Sequence, residues 1–236
     1  MKTKLSPSSD NPIELDVNCI PGLHHVAVEA LVLSMFDNQA EKVRILENEY
    51  AQYIEEFTEK QALPRKDFFD AVFDLGPKLQ KFLYIVIRLS NPEKVIETGI
   101  AAGASTNTLL SAIQKNGIGS LISIDVTARV GELVEQDLKY FWEKKIISPK
   151  DSKAGYLEVL GNSNNASIFL HDSDHSFDWQ VIEFDGVRRA LKNCYLLAFD
   201  DVSSKFIKYV LDNYRDCEIY LFDEKRKYSA AILIRH

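Results

Sequence analysis

Residues 94–125 read KVIETGIAAGASTNTLLSAIQKNGIGSLISID, and this stretch decides the fold class. KVIET at 94–98 is a short apolar run of the kind that fills a buried strand. A loop with glycines at 99 and 103 follows. From Ala104 to Asn116 the apolar residues recur at helical spacing, and Gly117 supplies the left-handed stop. SLISID at 120–125 is strand-like again. A strand, a helix and a second strand in so short a stretch form a crossover unit, which belongs to a parallel sheet.

Downstream, the same alternation continues. Strands are predicted at 155–160, 167–172 and 195–201, and helices at 131–146, 177–192 and 203–213. Strands at 217–222 and 228–235 close the chain as a hairpin. Upstream, residues 24–60 read as helix with a break near Asp37 and Asn38. A further helix starts at Gly76-Pro77, runs to Leu89 and stops at Asn91-Pro92. Residues 1–22 read as an irregular arm. The expectation is an α/β protein with a Rossmann-like doubly wound sheet. Residues 1–75 would form an arm and helical cap, and residues 76–236 the main domain.

Composition narrows the class. The chain has 236 residues, 46% hydrophobic and 27% charged, which is enough to bury a large core without disulfides or zinc. A net charge of −7 argues against a nucleic-acid partner, and the one basic run, KKIISPK at 144–150, reads as a solvated helix end. Cys19, Cys194 and Cys217 are spaced too widely for a metal site or a disulfide framework. The N-terminus has no apolar leader, and the longest apolar run, FLYIVIRL at 82–89, is too short to span a bilayer. A cytoplasmic protein with no membrane partner is expected.

Open α/β sheets bind ligands beyond the carboxyl ends of their strands. There the sequence places Glu97, Gly99 and Gly103, then Asp125, then Gly161-Asn162-Ser163, then Asp172-Ser173-Asp174-His175, then Asp200-Asp201. The glycine loop has G-x-x-x-G spacing, not the dinucleotide fingerprint G-x-G-x-x-G, and it holds no basic residue for a phosphate. A carboxylate ligand suits it, with Ser105 as a hydroxyl donor. Asp125 stands where an acid grips a ribose diol.

Taken together, E97-T-G-I-A-A-G103, Asp125, D172-S-D-H-S-F177 and F199-D-D201 resemble the class I S-adenosylmethionine-dependent methyltransferases. The closest likeness is to their small-molecule O-methyltransferase branch, which carries D-x-D-H-S-[YF] after the fourth strand. The resemblance spans residues 76–236 and implies a seven-stranded sheet with the last strand antiparallel. It implies that Glu97, Gly99 and Gly103 frame the methionine moiety, with Ser105 on its carboxylate. It implies Asp125 on the ribose, Asn162 and Ser163 near the adenine, and Asp172 beside the cofactor.

The acids also suit a hard cation such as magnesium, with Asp172, Asp200 and Asp201 as oxygen ligands. The family's metal-dependent members place three ligands at these positions, and its metal-free members do without. Two residues are candidates for the base. His175 stands where catechol-type relatives carry a lysine, and Asp174 where sugar-modifying relatives carry an acid. His171 reads as a packed histidine, His24 and His25 as surface or cap residues at a helix start, and Trp179 as either a substrate wall or core.

A hydroxyl-bearing small molecule is the implied acceptor, and the apolar N-terminal helices are a candidate dimer face. The competing readings are a nicotinamide-dependent oxidoreductase, a non-catalytic cofactor-binding protein and a hydroxylase-like enzyme. For the first, Tyr140 and Lys144 read only as helical neighbours.

Overall fold

A computed structural model describes residues 22–61, 75–224 and 227–235. Most of the expected arm, Cys19 included, lies outside them. The stretch that decided the fold class folds as read. Lys94–Thr98 is β2, Ala104–Asn116 is α4 and Ser120–Asp125 is β3, with β2 and β3 paired in parallel. Gly117 caps α4 with φ +70°.

Upstream of β2 lie β1 (Leu23–His25), α1 (Val28–Met35), a 3-10 turn at Asp37–Gln39, α2 (Ala40–Gln61) and α3 (Pro77–Ser90). Downstream of β3 come β4 (Trp142–Ile146), α5 (Ser152–Gly161), β5 (Ile168–His171) and α6 (Phe177–Ala190). The chain closes with β6 (Leu196–Phe199), α7 (Ser204–Asn213), β7 (Cys217–Asp223) and β8 (Tyr228–Ile234).

Among the described residues the sheet has eight strands, in the order β1-β7-β8-β6-β5-β2-β3-β4, and not the seven expected. The added strand is β1, which pairs in parallel with β7, so His24 and His25 lie on a strand and not at a helix start. Only β8 runs antiparallel to its neighbours, β6 and β7.

Alternation along the strands builds two cores. Val95, Ile168, Leu170, Leu196 and Ala198 face one side, where α3 and α4 cover them. Ile96, Phe169, Leu197 and Phe199 face the other, under α5, α6 and α7. Helix α3 is buried along Leu79–Leu89 because the sheet lies on one side and α1 and α2 on the other. Tyr50 and Tyr53 of α2 lay their rings 5.3 and 5.5 Å from that of Tyr84.

Two elements differ from expectation. Residues 131–146 form a 3-10 turn at Gln136–Phe141 and strand β4, not a helix. β4 is a charged edge strand, WEKKI, so it lacks an apolar strand pattern. Residues 155–160 belong to α5, not to a strand. Tyr156 and Leu160, four apart, are the buried positions, which is a helical spacing.

Candidate active site

The site is built where four adjacent parallel strands end. Past the strand ends the ladder bonds continue: Gly99 N donates to Ile124 O, Asp172 N to Thr98 O and Asp200 N to His171 O, each at 2.9 Å. Asp125, Gly99, Asp172 and Asp200 therefore stand side by side along one sheet edge, about 4.8 Å apart strand to strand.

The glycine loop needs its glycines. Gly99 has φ +81°, and a Cβ there would lie 1.9 Å from the carbonyl oxygen of Asp172. Gly103 has φ +94°, and a Cβ there would lie 2.9 Å from Gly131 Cα. Asp125 ties the loop down: its carboxylate accepts from Ile100 N at 2.9 Å and from Thr127 N at 2.8 Å. The N-terminus of α4 opens toward the same edge, with Gly103 as its cap residue.

Glu97 is wholly buried on β2. Ser105, Thr106 and Ser123 donate their hydroxyls to its carboxylate at 2.7, 2.8 and 2.6 Å. Burial nevertheless pushes its pKa up to about 7, with the charge of Asp125 adding to the rise. Ser105, read as a donor to a ligand carboxylate, thus serves Glu97.

The acids after β5 and β6 converge on His175. A ligand atom from each of Asp172, His175 and Asp200 lies within 4.8 Å of the others. Asp201, read as the third metal ligand, instead faces the imidazole, with Oδ2 3.5 Å from Nδ1, and that contact lowers its carboxyl pKa. His175 Nε2 lies 3.9 Å from Asp172. Asp174 is exposed, and its carboxylate accepts from Ser176 N at 2.9 Å.

Two further residues shape the site. Glu183 of α6, almost fully buried, accepts from Thr98 Oγ1 at 2.6 Å, Ser173 Oγ at 2.9 Å and Trp179 Nε1 at 2.6 Å. It also bonds His171 Nδ1 at 2.7 Å. This hub fixes the loop that carries Asp172 and His175, and it engages both His171 and Trp179. Lys227, at the start of β8, places its ammonium on Asp200. Neither was singled out from sequence. Glu183 is one of several acids on an amphipathic helix, and Lys227 lies in a polar turn.

Asn162 and Ser163 do not join the site. They follow α5, whose C-terminus lies at the opposite sheet edge, where nearby Asn165 donates to Glu93 ahead of β2. Their assignment followed from reading α5 as a strand. Tyr140 and Lys144 lie on the 3-10 turn and on β4, not on one helix, and Tyr140 is 89% exposed. Cys194 and Cys217 are buried free thiols. Among the described residues, no helix is long and apolar enough to cross a membrane.

Known proteins share this architecture. Residues 96–202 match the family model of a methyltransferase domain. No curated protein matches the chain.

Among solved structures, the SAH-bound methyltransferase PaMTH1 of Podospora anserina is 10% identical, with a TM-score of 0.55 over 80% of this chain and 95% of that one. The O-methyltransferase TomG of Streptomyces achromogenes, involved in tomaymycin synthesis and solved with SAM, is 15% identical, with a TM-score of 0.52 over 68% and 83%. A methyltransferase of Geobacter sulfurreducens is 15% identical, with a TM-score of 0.50 over 78% and 89%. At these identities the likeness is one of fold. Residues 96–202, which carry the glycine loop and the acids, are thus similar to a methyltransferase domain.

Proposed function

We propose that the protein moves the methyl group of S-adenosylmethionine to a hydroxyl oxygen of a small molecule. The observation that carries this reading is the meeting of Asp172, His175 and Asp200 beside the glycine loop. An imidazole among carboxylates next to a sulfonium-binding loop suits an acceptor that must lose a proton.

On this reading the glycine loop lets the cofactor's methionine end approach the backbone, and its carboxylate meets the first N–H groups of α4. Asp125 faces the ribose hydroxyls with the lone pairs its two backbone bonds leave over. The adenine falls beside the β4–α5 connection at 147–151, in place of Asn162 and Ser163. Glu97 holds the loop and helix together from below and does not contact the ligand.

In the transfer, an acceptor oxygen attacks the methyl carbon in line with sulfur. The O–CH3 bond forms as the S–CH3 bond breaks, and the sulfonium becomes a neutral thioether. The hydroxyl proton passes to His175, whose ring Asp201 orients. Alignment of oxygen, carbon and sulfur supplies most of the acceleration. Asp174, bonded to the backbone of Ser176, positions the loop.

Asp172, His175 and Asp200 are the donors available to a divalent cation. With Lys227 bonded to Asp200, that set does not fit a divalent ion, and no step is routed through one. A cytoplasmic location and a homodimer through α1 and α2, which expose Leu33 and Ile45, complete the reading.

Calorimetric titration with S-adenosylhomocysteine tests it. The wild type should bind at about micromolar affinity, and Asp125→Ala should weaken binding at least about tenfold, or 1.4 kcal/mol. Binding of a nicotinamide dinucleotide in place of S-adenosylhomocysteine would overturn the proposal.

A further inference from the structure

We infer that the ammonium of Lys227 is the resident cation of the acceptor site, standing on the cluster of Asp172, His175 and Asp200 that would otherwise gather a divalent ion. The inference rests on the hydroxyl-methylation reading and deepens it: the transfer needs no metal, because the chain supplies the positive charge.

The argument begins at Asp200. Its side chain is 1% exposed, and a carboxylate so buried requires partners for both oxygens. Oδ1 accepts from Ser229 Oγ at 2.9 Å and from Gly76 N at 3.4 Å. Oδ2 takes the ammonium of Lys227. An incoming ion would have to displace that ammonium or sit against it, like charge on like charge, in a water-poor corner.

Lys227 is also held from both sides. Its carbonyl accepts from Glu224 N at 2.9 Å, and the next carbonyl, that of Tyr228, accepts from Val202 N at 2.8 Å. These bonds fix the start of β8 against the loop after β6, so the side chain enters the acid cluster from an anchored backbone. Its side chain keeps 23% exposure, so the ammonium is not sealed off by its bond to Asp200.

The chemistry follows from the donor count. An ammonium carries three N–H donors, and the bond to Asp200 uses one. Another can meet the acceptor oxygen as its proton leaves for His175 and negative charge develops there. Such a fixed cation stabilises the developing charge without moving during the step. Lys227 keeps its own protons throughout.

Manganese alone is the probe, read by its paramagnetic signal in the presence of S-adenosylhomocysteine. Wild type should leave millimolar Mn2+ unbound. Lys227→Gln should gain a bound ion on Asp172, His175 and Asp200, and the further change Asp200→Asn should abolish that gain. Lys227→Arg keeps the charge and should exclude the ion as wild type does.

Stoichiometric Mn2+ binding by wild type would overturn the inference without recourse to any variant. So would a Lys227→Gln protein that still binds S-adenosylhomocysteine yet ignores Mn2+. Failure of wild type to bind S-adenosylhomocysteine would instead sink the methyltransferase reading, and the two failures are read from separate signals.

Discussion

Glu97 shows how a single side chain links the fold to pH. Its carboxyl is fully buried, and its pKa is raised from 4.5 to about 7. The folded protein therefore holds a proton that the unfolded chain releases within that window. Stability is greatest below the lower value, falls as pH rises, and the loss is complete above the upper one. The span corresponds to about 3 kcal/mol at most. Urea unfolding at about pH 5 and about pH 8 should show the wild type losing that much more than Glu97→Gln, whose amide cannot ionise. Equal losses in the two proteins would remove Glu97 as the source. An acid inside an apolar strand is visible in sequence, as are Asp125, Asp172 and Asp200 at strand ends. The partners are not. Ser123 reaches Glu97 across 26 residues and Lys227 reaches Asp200 across 27, and no local pattern marks either pairing.

Among the elements, the β2–α4 turn carries the tightest constraint. Gly99→Ala drives a methyl into the Asp172 carbonyl at a backbone angle that L-residues avoid. It should cost about 3 kcal/mol or more and abolish S-adenosylhomocysteine binding. Gly117→Ala is the control: its φ is also positive, but nothing lies within 4 Å, so it should cost only about 1–2 kcal/mol and leave binding intact. Chemical denaturation and calorimetry read both. Elements with a buried face of clear period, such as β2, α4 and β3, were legible from residue spacing. β4 was not, because Glu143, Lys144 and Lys145 decorate a strand at the sheet's edge, and the loss of β4 displaced α5 and the adenine assignment with it.

For the whole molecule, the eighth strand changes which edges are exposed. β1 covers β7 along Leu23–His25, and His24 stacks on Tyr220 at 5.0 Å. Leu23 is 4% exposed, so Leu23→Asp should undock the strand, with about 2 kcal/mol of burial lost. The bared edge of β7 should then pair between molecules, and light scattering should show association that grows with concentration. An unchanged monomer signal would mean that β1 does not protect the edge. Sequence analysis did not find β1 because three residues make no pattern. Its pairing also has a consequence for the order in which the chain is made. Leu23 leaves the ribosome almost two hundred residues before its partner Ile219, a delay of roughly 10–40 s at ordinary synthesis rates. β1 is thus among the last of the described strands that can be paired, and a nascent chain carries Leu23–His25 without its sheet partner until the closing hairpin emerges.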